Sequence, residues 1–307
     1  MATFFVFVDG IGAGVNSSDN PLATSKLQSF SSFTGKNGFH KDCKPVQKKH
    51  LLYKTIDANI GVKGLPQSGT GQTTLFTGIN GSKVVGRHFG PYPHSKLKPL
   101  LQNDSLFHKV LEIGKKPHFL NAYPDIFFEK SEKRNRWSCT TLMVKSAGIR
   151  LNRIEDILNE KAITAEIIQS AWRSMLGLDV PKITPQDAAK RALRVLKKYD
   201  FVLYEYYLTD KAGHSQNREK AYEVLDVLNQ FLFTIIQEMD RKDTLLITSD
   251  HGNIEDLSTK SHTKNPVPLF VKGGIEPFKN VKSILGITPA ILKTLNRNRI
   301  ENPEPGV

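Results

Sequence analysis

Short apolar runs rich in Val, Ile, Phe and Tyr alternate along this chain with longer stretches of helical periodicity. That order predicts an α/β fold, in which a mostly parallel sheet is joined by crossover helices. Most of the runs are apolar at nearly every position, as expected of strands that are buried on both faces. The predicted strands are Thr3–Val8, Leu51–Ala58, Pro117–Tyr123, Phe201–Leu208, Thr244–Thr248 and Val267–Val271.

Helical periodicity lies between these runs. Tyr222, Leu225, Leu228 and Ile235 recur at a spacing of three to four residues or its multiples, which is the pattern of one apolar helix face. The predicted helices are Gly69–Thr77, Ser105–Ile113, Pro185–Tyr199, Arg218–Asp240 and Thr288–Leu295.

The length of 307 residues suits one large α/β domain with a modest insertion. Between residues 125 and 185 the alternation of strands and helices weakens. We interpret residues 1–124 and 186–307 as the core. Residues 125–185 are then either a small inserted cap or a continuation of that core, and both alternatives stay open. The tail Asn302–Val307, which contains two prolines, is expected to be loose.

The formal net charge of +13 favours an anionic partner: nucleic acid, acidic lipid or a phosphorylated small molecule. The densest basic run extends from Lys41 to Lys54, and we interpret it as a solvated loop in preference to a nucleic-acid-binding patch. No zinc-finger, RRM-like or basic heptad motif accompanies the run. Nucleic acid therefore lacks the support of a motif, whereas an anionic phosphorylated substrate remains consistent with the charge.

The first residues do not have the pattern of a signal peptide, because the apolar run Thr3–Val8 is short and ends at Asp9. No stretch of eighteen or more apolar residues occurs in the sequence, so we expect no membrane span. Cys43 and Cys139 lack metal-like spacing and are expected to be reduced thiols. We therefore expect a cytoplasmic protein.

Acidic and imidazole side chains stand at the ends of several predicted strands. Asp9 follows the first strand, Asp210 and His214 follow the fourth, Asp250 and His251 follow the fifth, and His262 precedes the last. Ligands of open α/β sheets bind beyond the carboxyl ends of the strands. The alternative is that each residue is an ordinary turn or cap residue, but six such coincidences at one edge would then be required.

Carboxylates and imidazoles together form mixed oxygen and nitrogen sites suited to Zn²⁺, Mn²⁺ or similar ions. Six ligands are too many for one tetrahedral ion, and they suffice for two ions when a nucleophile or water completes the set. Two cations about 3.5–4 Å apart can clamp the attacking and leaving oxygens of a phosphoryl displacement.

A nucleophile for such a reaction is expected at a helix N-terminus, where backbone N–H groups favour phosphate oxygens. The segment from Gly64 to Gly78 supplies one, because hydroxyl residues among glycines lead into an apolar helical stretch. It is not a Walker A loop, since no Lys follows the second Gly. The alternative is a Gly/Thr-rich loop in which Ser68 caps the helix.

These motifs together resemble the alkaline phosphatase superfamily, and in particular the branch of cofactor-independent phosphoglycerate mutase and phosphopentomutase. The resemblance implies an alkaline-phosphatase-like three-layer sandwich with a mostly parallel central sheet. Residues 81–195 match no motif of the family. The matching motifs are Asp9-Gly10, the Ser68 segment, Asp210-Lys211-Ala212-Gly213-His214, Asp250-His251-Gly252-Asn253 and His262-Thr263-Lys264-Asn265-Pro266-Val267-Pro268.

The resemblance also implies two divalent ions per chain, Mn²⁺ or Zn²⁺ in the first place and Mg²⁺ as an alternative. Ser68 would be the nucleophile that becomes phosphorylated, and Thr70 and Thr73 remain alternatives. Gln72 stands where the family motif has His. The implied ligands are Asp9, Ser68, Asp250 and His251 for one ion, and Asp210, His214 and His262 for the other.

The chain departs from the mutases in having a cap of at most about sixty residues, whereas the mutases carry a large inserted domain that retains the sugar phosphate. The mutases' substrate-binding arginines cannot be assigned either. The charged candidates are Arg87, His88, Arg134 and Arg136, and solvated surface charge is the alternative for each.

The sequence thus predicts a metal-dependent enzyme that hydrolyses a phosphate mono- or diester through a phosphoserine. A phosphomutase acting on a small phosphorylated metabolite would use the same residues. A third hypothesis is a non-enzymatic descendant of the fold that binds an anionic partner through its basic surface.

Overall fold

A computed structural model describes the backbone of residues 1–301 and the side chains of residues 1–296. The tail predicted to be loose, Asn302–Val307, lies outside the described residues. Within the described part, the strands are β1 Thr3–Val8, β2 Val46–Lys48, β3 Leu51–Ile56, β4 Pro117–Phe119, β5 Asn121–Ala122, β6 Ile163–Thr164, β7 Phe201–Tyr206, β8 Thr244–Thr248 and β9 Val267–Lys272.

The helices of the same residues begin and end close to the predicted positions, and several short ones were not predicted. They are α1 Pro21–Thr24, α2 Gln28–Thr34, α3 Ser68–Thr77, α4 Gly81–Val85, α5 Lys98–Asn103, α6 Leu106–Glu112, α7 Asp125–Lys133, α8 Cys139–Ser146, α9 Ile154–Leu158, α10 Ser170–Ser174, α11 Pro185–Leu196, α12 Leu208–Ser215, α13 Arg218–Glu238 and α14 Ile287–Glu301.

Seven strands form the central sheet in the order β2-β3-β9-β8-β1-β7-β4. The middle of the sheet is parallel, since β1 pairs in parallel with β7 and β8, and β4 pairs in parallel with β7. β9 runs antiparallel to β8 and β3, and β2 runs antiparallel to β3. The sheet is therefore mixed and mostly parallel.

Strand β1 shows why the sheet is covered on both sides. All six of its residues are buried, and alternate side chains point to opposite faces. Phe4 and Val6 belong to a core with the apolar faces of α2, α11 and α13, whereas Phe5 and Phe7 belong to a second core with α3, α6 and α14. Helices on both faces of one sheet give the predicted three-layer sandwich.

The direction of β9 corrects the argument from strand ends. A parallel strand begins at the edge opposite to the carboxyl ends of its neighbours, so a parallel β9 would carry His262 away from Asp9 and Asp250. Because β9 is antiparallel to β8, it begins at the edge where β8 ends. His262 therefore reaches the common edge for a reason that periodicity did not reveal.

The basic run from Lys41 to Lys54 is not a loop throughout, as the sequence had suggested. It contains the edge strand β2 and the first residues of β3. The ammonium group of Lys54 donates a hydrogen bond to the carbonyl oxygen of Lys279 at 2.6 Å. Lysines on an edge strand discourage pairing with other chains.

Residues 125–185 contact the core unevenly. Phe128, Cys139 and Met143 belong to the core that contains Phe5 and Phe7. Ile157 and Trp172 instead belong to a small separate cluster, together with Ala122, Ala162 and Val180. The division into core and cap remains a proposal, and this separate cluster is its most independent part.

None of the helices in the described residues is both long enough and apolar enough to cross a membrane. Cys43 and Cys139 are buried free thiols.

Candidate metal centre

The three central strands β8, β1 and β7 end side by side, and each is followed by candidate ligands. Asp9 comes directly after β1, and Asp250 and His251 come after β8. Asp210 and His214 lie four residues apart on α12, which begins after β7, so both face the same side of that helix. Parallel pairing of the strands therefore brings together residues from distant parts of the sequence.

One group of side chains lies around His251. Its Nε2 atom is 3.3 Å from Oδ1 of Asp9 and 3.6 Å from Oδ2 of Asp250. The same nitrogen lies 3.0 Å from the hydroxyl oxygen of Ser68. These residues are those implied for one ion by the family resemblance, and the structure places them together.

The second group lies around Asp210. Its Oδ2 atom is 3.3 Å from Nε2 of His214, and its Oδ1 atom is 3.5 Å from Nε2 of His262. The rings of His251 and His262 stack with centroids 3.8 Å apart, so the two groups adjoin. Candidate ligand atoms within 4.8 Å of one another form the sets Asp9/Asp250/His251 and Asp210/His251/His262, which share His251.

Backbone carbonyl groups fix the protonation of two of the imidazoles. Nδ1 of His262 lies 2.7 Å from the carbonyl oxygen of Pro66, and Nδ1 of His214 lies 2.7 Å from that of Lys260. A carbonyl oxygen only accepts, so each Nδ1 carries the proton and each neutral ring presents a lone pair at Nε2. The two Nε2 atoms face each other at 3.1 Å. A cation bound by both nitrogens would satisfy the two lone pairs, so the arrangement fits a metal site.

The buried carboxylates of the group around His251 also indicate a metal site. Both carboxylate oxygens of Asp250 and Oδ1 of Asp9 are buried without a hydrogen-bond partner among the described residues. Burial first, and then the charges of Asp250 and Asp210, raise the pKa of Asp9 well above its usual range. Burial and Asp210 raise the pKa of Asp250 in the same way. Buried carboxylates are normally paired or bound to metal, so this donor set fits a divalent cation.

The pKa of Asp210 is shifted in the opposite direction to those of Asp9 and Asp250. Burial alone would raise its pKa, but a hydrogen bond from the protonated form of His214, the nearby His251, a hydrogen bond from Asn253 and the nearby His262 hold the pKa well below the usual range. Nδ2 of Asn253 donates to Oδ1 of Asp210 at 2.6 Å. Asp210 is therefore an ionised ligand even without a cation.

The N-terminus of α3 places Ser68 next to these ligands. Helix α3 begins at Ser68, so the N–H groups of its first residues have no partner inside the helix. A Cβ atom on Gly69 would lie 2.3 Å from the carbonyl oxygen of Tyr92, so only glycine lets the helix start this close to the neighbouring loop. Among the three hydroxyl candidates, Ser68 is the one that lines the adjacent cavity.

Thr70 and Thr73 use their hydroxyl groups elsewhere. Oγ1 of Thr70 donates to the carbonyl oxygen of Gln67 at 3.1 Å, and Oγ1 of Thr73 donates to that of Gly69 at 2.7 Å. Both side chains are fully buried. Gln72, which replaces the family's His, donates from Nε2 to Oδ2 of Asp9 at 3.2 Å. It thus orients a candidate ligand.

The charged residues suggested as substrate contacts lie apart from this centre. Both ring nitrogens of His88 are engaged, by Ser82 at 3.0 Å and by the carbonyl oxygen of Val62 at 3.1 Å. The guanidinium group of Arg136 lies over the ring of Tyr92, 3.8 Å from its centroid. Arg87 lines a different surface pocket with His88, and Arg134 is exposed at the end of α7.

Glu255 is a buried carboxylate that the sequence argument missed. Its Oε2 atom accepts hydrogen bonds from the backbone N–H groups of Gly12 at 2.9 Å and Asn253 at 2.8 Å. Its Oε1 atom accepts from Nδ2 of Asn265 at 3.1 Å and from the hydroxyl of Thr263. One side chain thus ties together the three loops that carry Asp9, His251 and His262. The only sequence signal was its place five residues after Asp250, beyond the motif that was matched.

We expect Glu255→Gln to weaken divalent-metal affinity by about tenfold and Glu255→Ala by about 100-fold, the usual range for residues that orient metal ligands. An amide cannot accept all four hydrogen bonds, and alanine accepts none. Calorimetric titration of Mn²⁺ into the metal-free variants measures the effect. The exposed Glu129→Gln on α7 is the matched control and should bind as the parent does. An unchanged Mn²⁺ affinity in Glu255→Ala would show that Glu255 does not position the metal ligands.

Metal affinity is expected to fall on acidification. The hydrogen bond with Asp210 raises the pKa of His214, whereas burial lowers the pKa of His262 and lowers that of His251 to about 3. A raised pKa means that, of the three imidazoles, His214 takes up a proton first as the pH falls. Metal must displace that proton, so affinity should drop about tenfold per pH unit below the pKa of His214. Titrations between about pH 5.5 and 8.5 would reveal this slope, and an affinity independent of pH would contradict it.

Comparison with known proteins agrees with this geometry. The family model described as "Metalloenzyme superfamily" matches residues 1–298. Two relatives are 2,3-bisphosphoglycerate-independent phosphoglycerate mutases: that of Thermococcus kodakarensis is 25% identical and that of Pyrococcus abyssi 26% identical. Each alignment covers 87% of this chain and 70% of the relative.

Solved structures extend the likeness to the fold. The alkaline phosphatase of the Antarctic bacterium TAB5 superimposes with a TM-score of 0.54 at 13% identity, covering 96% of this chain and 97% of that one. A phosphoglycerate mutase of Leishmania mexicana gives a TM-score of 0.52 at 11% identity, covering 96% and 95%. At these identities the likeness shows the fold alone. Since the family model spans nearly the whole chain, the predicted resemblance and the prediction of a metal-dependent enzyme are confirmed: the chain belongs to the Metalloenzyme superfamily and has an alkaline-phosphatase-like fold.

Proposed function

We propose that this protein transfers the phosphoryl group of a phosphate ester to water through a phosphoserine at Ser68, with two divalent ions bound. The observation that carries the proposal is the position of Ser68. Its hydroxyl lies at a helix N-terminus, 3.0 Å from His251, at the point where the two ligand groups adjoin. It also lines one cavity together with Asp9, Asp210 and His214.

The two ligand groups divide the cations between them. Asp9, Asp250 and His251, with Ser68, would hold one ion, and Asp210, His214 and His262 would hold the other. Mn²⁺ and Zn²⁺ suit this mixture of carboxylates and imidazoles, and Mg²⁺ is the alternative. When bound, two such ions supply the positive charge that activates a nucleophile and stabilises the leaving oxygen of a phosphoryl displacement.

The residues of the chain act in two steps. The hydroxyl oxygen of Ser68 forms a bond to phosphorus, the bond to the ester oxygen breaks, and the leaving alcohol takes up a proton. Water then attacks the phosphoserine, phosphate departs, and the oxygen of Ser68 regains its proton. The N–H groups of Ser68 and Gly69 at the start of α3 are placed to accommodate the phosphate oxygens in both steps, since that of Thr70 donates to the carbonyl oxygen of Phe89.

A phosphomutase is the second candidate, and the names of the sequence relatives favour it. It would use the same residues but return the phosphoryl group to the substrate instead of to water. The small size of residues 125–185 favours hydrolysis, since a mutase must retain its dephosphorylated substrate while the enzyme is phosphorylated.

Purified protein loaded with Mn²⁺ or Zn²⁺ should be tested on a panel of phosphate monoesters and diesters. Release of inorganic phosphate or of an alcohol supports hydrolysis, whereas an isomerised ester without phosphate release supports the mutase. Elemental analysis of the same sample should approach two ions per chain. A protein that holds no metal and leaves every ester intact would instead fit a non-enzymatic, anion-binding descendant of the fold.

A further inference from the structure

A cavity of about 650 Å³ opens beside Ser68 and the candidate ligands. This is large enough for a substrate group well beyond the phosphate itself. Its lining combines residues of the metal centre with a second group, called the wall here, from residues 122–127 and 165–176 together with Tyr207. The composition of this wall decides what leaving group the cavity accommodates.

The wall is mostly aromatic and apolar. Tyr123 and Phe127 stack with ring centroids 4.1 Å apart and form one part of it. Trp172 and Tyr207 form another part, and Met175, which is 80% exposed, lies at the rim. Aromatic and thioether groups that line a cavity are typical of a site for an apolar ligand.

Positive charge is scarce in the same wall. Among the described residues that line the cavity, Lys211 is the one Lys or Arg. The arginines of the neighbouring segment are engaged elsewhere: Arg150 pairs with Asp156 at 2.7 Å, Arg153 pairs with Asp125, and Arg173 donates to the carbonyl oxygen of Pro181 at 3.2 Å. A carboxylate on the substrate would therefore find Lys211, and no guanidinium group, among the described residues that line the cavity.

Glu205 makes such a carboxylate less favourable still. It lies on β7, it is buried, and its side chain lines the cavity beside Asp9. Burial raises the pKa of Glu205 to about 7, so above that pH its charge would repel a substrate carboxylate in the same cavity. The cavity therefore disfavours phosphoglycerate and other acidic phosphoesters.

We propose that the substrate of this site is a phosphoester whose leaving group is apolar and aromatic, bound against Tyr123, Phe127, Trp172 and Tyr207. The inference rests on the proposed function for the identity of the reacting group. It rests on the lining of the cavity for the chemistry of the leaving group. It separates this chain from the mutases that it resembles in sequence.

The test measures binding with phosphonates, whose carbon–phosphorus bond is not cleaved, so turnover does not enter the result. Calorimetry on the Mn²⁺-saturated protein compares phenylpropylphosphonate, propylphosphonate and carboxyethylphosphonate. We expect the phenyl compound to bind at least about tenfold more tightly than the propyl compound, because its ring is removed from water. The carboxylate compound should bind no more tightly than the propyl compound.

A pair of variants assigns the preference to the wall. Tyr207 and Leu111 are 41% and 42% exposed, so neither truncation removes a buried core side chain. Tyr207→Ala should reduce the preference for the phenyl compound about five- to tenfold, the size of one aromatic contact. Leu111→Ala, on α6 and outside the cavity lining, should leave it unchanged. A preference that survives in the double variant Tyr207→Ala/Phe127→Ala would overturn the assignment.

The outcomes separate the two proposals. Equal binding of all three phosphonates, tighter binding of the carboxylate compound, or no binding would each overturn the inference. If the phenyl preference held while every ester remained intact, the inference about the aromatic leaving group would stand and the proposed phosphoryl transfer would be wrong. If esters were hydrolysed without any phenyl preference, the proposed phosphoryl transfer would stand and the inference would be wrong.

Discussion

Ser68→Ala is expected to fold, to retain most of its metal and to lose kcat by about 10⁶-fold, the size seen when the nucleophile of a serine enzyme is deleted. The substitution removes one hydroxyl oxygen at the start of α3 and leaves six carboxylate and imidazole ligands in place. The covalent step therefore disappears while the charge of the centre is kept. Turnover of a phosphate monoester, with metal content measured in parallel, checks both parts.

Thr73→Ala is the matched control for this variant. It removes a hydroxyl from the same helix, and the hydrogen bond to Gly69 that is lost should cost about 1 kcal/mol of stability. Turnover should change little. Mass spectrometry of protein trapped with substrate should place the phosphate on Ser68. A phosphate on Thr70 or Thr73 would show that the nucleophile had been assigned to the wrong residue. An active Ser68→Ala enzyme without any phosphoprotein would exclude the phosphoserine mechanism.

Much of the core could be read from the sequence because its signals are local. β1, β7 and β8 are apolar at nearly every position, and the polar residues that follow them mark where each strand ends. In neighbouring parallel strands those ends must meet. The proximity of Asp9, Asp210 and Asp250 therefore followed from local patterns and one rule of topology.

Other parts of the fold and of the site depend on contacts between residues that are distant in the sequence, and no local pattern predicts them. The direction of β9, which brings His262 to the site, follows from its pairing with β3 and β8. The role of Glu255 follows from four donors that converge on one side chain. Neither arrangement has a period or a spacing along the chain.

Net charge was the least specific guide. The +13 of the sequence suggested an anionic partner, but the described lining of the cavity beside Ser68 carries aromatic rings, one lysine and the carboxyl group of Glu205. Total charge describes the field around the molecule. It does not say which side chains line a cavity, so the composition of this lining could be found only in the folded chain.

Asp250→Asn is expected to abolish tight binding at one metal position, to lower the metal count and to reduce turnover by several orders of magnitude. Asp250 is fully buried, and both of its carboxylate oxygens lack a hydrogen-bond partner among the described residues. A neutral amide keeps the shape of the side chain but loses the charge that binds the cation. Elemental analysis and steady-state kinetics measure the two losses, and the exposed Asp179→Asn should show neither.

The same substitution should make the metal-free protein more stable, by about 1–3 kcal/mol near pH 8, because it removes an unpaired buried charge. Burial raises the pKa of Asp250, so the folded state binds a proton more tightly than the unfolded state does. The metal-free parent should therefore lose stability as the pH rises above the ordinary carboxyl pKa of about 4, and Asp250→Asn should lose less. Urea unfolding in chelator near pH 5 and pH 8 measures this slope, and divalent metal should reverse the order by stabilising the parent. If metal-free Asp250→Asn were less stable than the parent near pH 8, the carboxylate would have a partner other than a cation, and this assignment of the centre would fail.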